Sequence, residues 1–215
     1  YHIESWQKDG AVVTFQLDTI TISGVKVQLI AEPLIRQLTG AALIAHLQGV
    51  PKETLRTQLE TATPAASRMH PLAGLHGSTI IDDTTNFSPD AGTEALKALK
   101  RLPATRRIAI LGNMHELGDY ADKGYSDVAK EFEGIDILAL VGDLSPEKFG
   151  PLAHAAGFVE GETLFYYETS VDAGIDFRDK LTEGDIVLVK GPFGGFYLEE
   201  AVKKLLNDPR DARYL

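Results

Sequence analysis

The stretch STIIDDTTNFSPDAGTEALKALK, Ser78–Lys100, decides how the second half of the chain is read. Its first residues form an apolar run of the kind a buried β-strand needs. Ser88 and Pro89 then mark a helix start, because a serine hydroxyl accepts an orphan backbone N–H and proline gives up nothing at the first helical position. Between strand and helix lie Asp82, Asp83, Thr84, Thr85 and Asn86. In open α/β sheets, ligands bind at this carboxyl end of the strands. If the strand continues through Asp82 and Asp83, their side chains point to opposite faces, which argues against a pair sharing one proton.

The same alternation repeats downstream. The strand STIID leads to a helix over 89–100, RIAILG to a helix near 122–133, and DILALVG to one over 146–156. TLFYY leads to a helix over 170–181, and DIVLVKG to a last helix over 196–207. Short apolar strands alternating with amphipathic helices predict βα units, a mainly parallel sheet and helices on both of its faces. Upstream, AVVTFQLD and TITISGVKVQLI read as a short antiparallel meander, followed by helices over 33–48 and 51–61. The Pro/Ala/Thr-rich passage 61–74 reads as a linker. The expected class is α/β: a Rossmann-like, doubly wound sheet over 71–215, preceded by a small α+β region over 1–70.

Composition narrows the chemistry. The chain has 215 residues, 44% of them hydrophobic, and a net charge of −10. That acidity works against nucleic-acid or anionic-membrane binding, which rests on Lys and Arg. No cysteine is present, so thiolate metal sites and disulfides are excluded, and the six histidines show no metal-ligand spacing. No apolar run of about 18 residues and no signal peptide is evident, so a cytoplasmic protein without a membrane span is expected. The start at Tyr1 inside a strand-rich passage reads as a piece of a longer protein.

Polar loops follow the apolar strands: DDTTNFS, GNMHELGD, GDLSPEK and KGPFGGF. A parallel sheet gathers them on one edge, making Asp82, Asp83, Asn86, Asn113, His115, Glu116, Asp143 and Lys190 candidate neighbours. Plain turn formation by the same residue types is the alternative reading. The glycines of GPFGGF, 191–196, can cradle an anion or simply form a tight turn, and no G-x-x-x-x-G-K-[ST] phosphate loop occurs in the chain. Lys190 ends an apolar run, so it has to face a cleft or a carboxylate.

In order, these segments resemble the Mur ligase family, with DDTTNFSP for D-D-[ST]-Y-N-A-N-P, LGNMHELG for L-G-D-M-x-E-L-G and VLVKGPF for V-K-G-S-R. TPAASR, ending at Arg68, loosely fits the family turn that ends in arginine. Within the family the segments look like those of the ligases that add D-alanyl-D-alanine to UDP-N-acetylmuramoyl-tripeptide. The resemblance implies the end of a central ATPase domain over 1–70 and a complete C-terminal domain over 71–215. It implies ATP and magnesium as cofactors of the full-length protein, and UDP-sugar-peptide and an amino acid or dipeptide as substrates. A monomer is implied, and a role in peptidoglycan precursor synthesis. It casts Arg68 and Lys190 as catalytic, Asp83 and Asn86 as nucleotide-binding, and Asn113, His115 and Glu116 as substrate-binding, with no protein metal site. Without the ATP-cradling loop, the 215 residues alone are expected not to turn over. Departures from the family pattern are Asn113 for Asp, Thr85 for Tyr, Ser88 for Asn and Pro192-Phe193 for Ser-Arg. The central-domain His-Asn-x-x-Asn is also missing from LIRQLTGAAL, 34–43. These departures leave two further readings open: a ligase for another amine, as in folate or cyanophycin ligases, and a fold retained for binding.

Overall fold

The computed structural model describes residues 1–192 and 197–215. The chain divides into two units, one formed by 1–65 with 101–103, the other by 66–100 with 104–215. The break between the two units falls between residues 65 and 66.

In the first unit β1 (His2–Gln7), β2 (Gly10–Leu17) and β3 (Ile20–Val27) form an antiparallel meander in the order β1-β2-β3. Alternate residues of β2, Ala11, Val13, Phe15 and Leu17, are buried, as the two-residue strand period requires. Helices α1 (Glu32–Leu47) and α2 (Lys52–Thr61) contribute Ile35, Ala42, Leu55 and Leu59 to the same core.

The second unit is a six-stranded sheet of β4 (His70–Ala73), β5 (Thr79–Asp83), β6 (Arg107–Leu111), β7 (Ile137–Val141), β8 (Leu164–Tyr167) and β9 (Ile186–Lys190). Their order is β4-β5-β9-β6-β7-β8. β4 is antiparallel to β5, and all other pairs are parallel. The doubly wound, mainly parallel, Rossmann-like architecture expected from the sequence is therefore present. One expectation is corrected: the stretch 61–74, read as a linker, contains β4. Proline in that strand hides it, and it is tolerated because β4 is an edge strand.

Helices α3 (Pro89–Arg101), α4 (Ala121–Ala129), α5 (Leu144–Ala155), α6 (Ser170–Lys180) and α7 (Glu199–Leu205) connect or follow the strands. Ala173 and Phe177 of α6 and Ala201, Val202 and Leu205 of α7 pack with Ile80, Ile108, Ile110, Val187 and Val189 on one face of the sheet. Phe149 of α5 meets Tyr125 of α4, Phe132 and Phe87 in a second aromatic cluster. Every residue of β9 is buried, which is why DIVLVK reads as a continuous apolar run ending in a single cation.

The strand order brings distant segments together. β9, last in sequence, lies between β5 and β6, and its register sets Asp83 and Leu111 beside Lys190. The loops leaving β5, β6 and β7, and the end of β9, accordingly open on one edge of the sheet. That edge is where doubly wound folds bind ligands.

Candidate functional site

Lys190 is the centre of this edge. Its side chain is 2% exposed and its ammonium donates to Asp83 Oδ2 at 2.5 Å. It also donates to the Asn86 carbonyl at 2.8 Å, and its ammonium lies 5.3 Å from the centre of the Phe87 ring. Gly92 makes room for that ring, since a β-carbon there would fall 2.5 Å from Phe87. The requirement that a buried lysine find a carboxylate is met by Asp83, the residue opposite it in register. Ser88 and Pro89 start α3 as expected, with the Ala91 N–H donating to the Ser88 hydroxyl at 3.4 Å.

The two neighbouring carboxylates serve different partners, as their opposite facing implies. Asp83 Oδ1 accepts the Met69 N–H at 3.2 Å, so both of its oxygens are engaged. Asp82 is fully buried, and its Oδ1 accepts both the N–H and the hydroxyl of Thr84, at 3.2 and 2.7 Å. Burial raises the Asp82 pKa, the Thr84 and Ser67 hydroxyls pull it back, and the charge of Asp83 adds to the rise. Across the β4–β5 ladder His70 stands opposite Asp82, and burial lowers the His70 pKa.

Arg68 sits on the turn that enters β4. It is exposed, and its neighbours Ser67 and Met69 both hold positive φ, 53° and 50°. Non-glycine residues in that region carry strain, and they persist where surrounding bonds over-determine them. Those bonds are present: Thr85 Oγ1 donates to the Ser67 carbonyl at 2.9 Å, and Asp83 holds the Met69 N–H. The side chain of Asn86 is exposed beside this turn, while its carbonyl is held by Lys190.

The loop after β6 is anchored by different groups. Asn113 is fully buried; its Nδ2 donates to Asp143 Oδ1 at 2.7 Å and its Oδ1 accepts the Ser145 N–H at 2.7 Å. Asp143 also caps α5 by accepting the Leu144 N–H. The Asn113 amide lowers the Asp143 pKa most, followed by the Leu144 N–H. Asn113 thus ties the β6 loop to the start of α5 and presents no surface to a ligand. His115 and Glu116 are exposed at the tip of the loop, with Glu116 at φ 61°.

Tyr125, buried on α4, closes the base of this loop. Its hydroxyl accepts the Met114 N–H at 2.8 Å and donates to the Met114 carbonyl at 3.4 Å. Tyr125→Phe is expected to cost about 1–2 kcal/mol, the usual effect of leaving a buried backbone donor unpaired. Hydrogen exchange should speed up selectively at the Met114 amide; unchanged protection there would contradict this role.

The edge therefore collects Arg68, Asp83, Asn86 and Lys190 around β5 and β9, and Asn113, His115, Glu116 and Asp143 around β6 and β7. Sequence reading assigned no site role to Ser67, Met69, Thr85, Tyr125 or Ser145, because their roles depend on partners far away in the chain. The anion-cradle reading of GPFGGF, like the start of the helix expected from 196, falls on Phe193–Phe196, outside the described residues. Among the described residues no three of His, Asp or Glu gather to hold a metal ion. No helix is long and apolar enough to cross a membrane, again among the described residues.

A family model described as Mur ligase, glutamate ligase domain, matches residues 67–193, more than half of the chain. The chain belongs to the Mur ligase family. Among solved structures, MurF from Acinetobacter baumannii superposes with a TM-score of 0.76 at 19% identity, over 96% of this chain and 44% of that one. MurF ligase from Thermotoga maritima in complex with ADP gives 0.67 at 19% identity, over 92% and 46%. Folylpolyglutamate synthase from Thermotoga maritima gives 0.63 at 17% identity, over 100% and 48%. At such identities the likeness establishes the Mur ligase fold, shared by enzymes whose names differ. The chain spans less than half the length of each of these relatives.

Proposed function

We propose that these 215 residues are part of an ATP-dependent, amide-bond-forming ligase, with 1–70 the end of its central domain and 71–215 its C-terminal domain. The observation that carries this reading is Arg68, an exposed guanidinium on a strained turn tied down by Thr85 and Asp83. In a chain of net charge −10, a cation fixed at a strand mouth is suited to an anion, and the planar guanidinium fork matches phosphate oxygens. Family membership makes a nucleotide the best candidate for that anion.

In the reaction we propose, a substrate carboxylate oxygen attacks the γ-phosphorus of ATP, releasing ADP and leaving an acyl phosphate. The amine nitrogen then attacks the acyl carbon, phosphate departs with the electrons of the C–O bond, and the surplus amine proton passes to solvent. Positioning and charge stabilisation do most of the work in such transfers. Arg68 would neutralise phosphate charge, and the exposed Asn86 side chain would line the nucleotide side. His115 and Glu116, on the neighbouring loop, would face the amine substrate. Magnesium would supply further neutralisation of phosphate charge, although the described residues gather no ligand set for it.

D-alanyl-D-alanine is the amine we favour, with UDP-N-acetylmuramoyl-tripeptide as acceptor, because the MHELG loop and the DDTTNFSP segment fit that member of the family. A cytoplasmic, monomeric enzyme of peptidoglycan precursor synthesis follows from the proposal. A second reading is a ligase for another amine, because the Asp of the family motif is replaced by Asn113 and one charge is lost from the loop that carries His115 and Glu116. Asn113 itself is turned inward onto Asp143 and Ser145. The test is phosphate release by the gene product carrying this chain, with ATP, magnesium, UDP-muramoyl-tripeptide and either D-Ala-D-Ala or single amino acids. Release that depends on D-Ala-D-Ala supports the first reading. Release that depends only on another amine supports the second, and release that no amine stimulates contradicts both.

A further inference from the structure

The side chains of Asp82, Asp83, Thr84 and Thr85 turn toward the chain itself and bind its own groups. Thr85 Oγ1 donates to the Ser67 carbonyl, Asp83 Oδ1 accepts the Met69 N–H, and Asp83 Oδ2 accepts Lys190. The same ammonium holds the Asn86 carbonyl. Two bonds therefore grip the backbone on either side of Arg68, one at each left-handed residue. The Asp83 bond leads back directly to the buried lysine at the end of β9, and Thr85 precedes Asn86, whose carbonyl the same lysine holds.

We propose that Thr85, Asp83 and Lys190 are positioning residues for Arg68: they hold the Ser67–Met69 turn in one strained conformation and so preorganise the guanidinium for an anionic ligand. This rests on the proposed nucleotide-dependent function only for the identity of that anion. Lys190 and Asp83 act through the turn, since the lysine is buried and both carboxylate oxygens of Asp83 are taken. The physical argument is one of entropy. A turn with two residues at positive φ relaxes when its anchors are removed, because the extended and right-handed regions are lower in energy for serine and methionine. A relaxed turn scatters the arginine, and binding then has to reorder it.

Thr85 offers the cleanest test, because it is half-buried and its loss leaves the Lys190–Asp83 pair intact. Thr85→Val keeps the shape and removes the donor; Thr85→Ser keeps the donor. In the 215-residue chain, hydrogen exchange at the Met69 amide and the NMR order parameter of the Arg68 Nε–H report the turn directly. Thr85→Val is expected to speed Met69 exchange about tenfold, because the Thr85–Ser67 bond that steadies the turn is lost even though Asp83 still accepts the Met69 N–H, and to lower the Arg68 order parameter. Thr85→Ser should restore both, with β6 and β7 amides unchanged. Parent-like exchange and order in Thr85→Val would overturn the proposal.

ADP titration of the complete gene product, in a cycle with Arg68→Met, separates the proposal from the functional reading. If Thr85 acts through Arg68, Thr85→Val weakens ADP in the parent background and adds nothing once Arg68 is gone. An equal loss in both backgrounds would overturn the positioning role. If Arg68→Met leaves ADP binding unchanged, the nucleotide reading fails, while the exchange and order-parameter results still decide the positioning.

Discussion

Lys190→Met is expected to lower the free energy of unfolding by about 3–5 kcal/mol, the usual cost of removing one partner from a buried ion pair. The lysine side chain is 2% exposed and that of Asp83 12%, so the stranded carboxylate has little water to turn to. The Asn86 carbonyl loses its donor in the same step, and Phe87 loses the cation near its ring. Urea denaturation at pH 7 measures the loss directly. Adding Asp83→Asn to Lys190→Met should recover part of it, because the uncompensated charge is then gone while an oxygen remains for the Met69 N–H. A loss under about 1 kcal/mol, the range of surface pairs, would show that the pair is solvated after all.

The second large effect concerns Asn113. The family motif carries Asp at this position, yet here Asn113→Asp should destabilise the chain by about 3 kcal/mol at neutral pH, since it buries a charge and turns a donor into an acceptor. The amide that now donates to Asp143 would be replaced by a second carboxylate at hydrogen-bond distance. Two such groups cannot both ionise cheaply, so one of them takes a raised pKa in the folded state. The sign follows from that shift. Its penalty is absent below the unfolded carboxylate pKa of about 4 and grows as pH rises through the raised folded value. The variant should therefore gain stability when pH falls from 8 toward 4. In the parent Asp143 is shifted downward, so its contribution is constant over that range and fades only below it. Thermal unfolding of both proteins between pH 4 and 8 checks the contrast; parallel pH profiles would refute it.

The parts of this structure that were legible in the sequence are those where burial leaves a local pattern. β9 is buried on both faces and reads as DIVLVK; Ser88-Pro89 marks the start of α3 by its own chemistry. The need of Lys190 for a carboxylate was legible too, because a buried ammonium has few alternatives. What stayed hidden depends on distant partners. β4 exists because His70–Ala73 pairs with β5, against the appearance of a Pro-containing linker. The placement of β9 between β5 and β6 has no local signature. Asn113 looks the same in sequence whether it faces a substrate or Asp143, and only the fold brings it to the first turn of α5. Ser67 and Met69 give no warning of positive φ, which glycine would have given.

Arg68 carries the proposed function, and its role can be measured. The most direct measurement compares amine-dependent phosphate release by the complete gene product with that of its Arg68→Met variant, at saturating ATP and substrates. Arg68 is surface-exposed, so the substitution should leave folding intact. If its guanidinium stabilises the phosphate being transferred, kcat should fall on the order of a hundredfold or more, as for other preorganised cations in phosphoryl transfer. Turnover within about twofold of the parent, on the tenfold-per-1.4 kcal/mol scale of such effects, would contradict the claim that this anchored arginine serves the reaction.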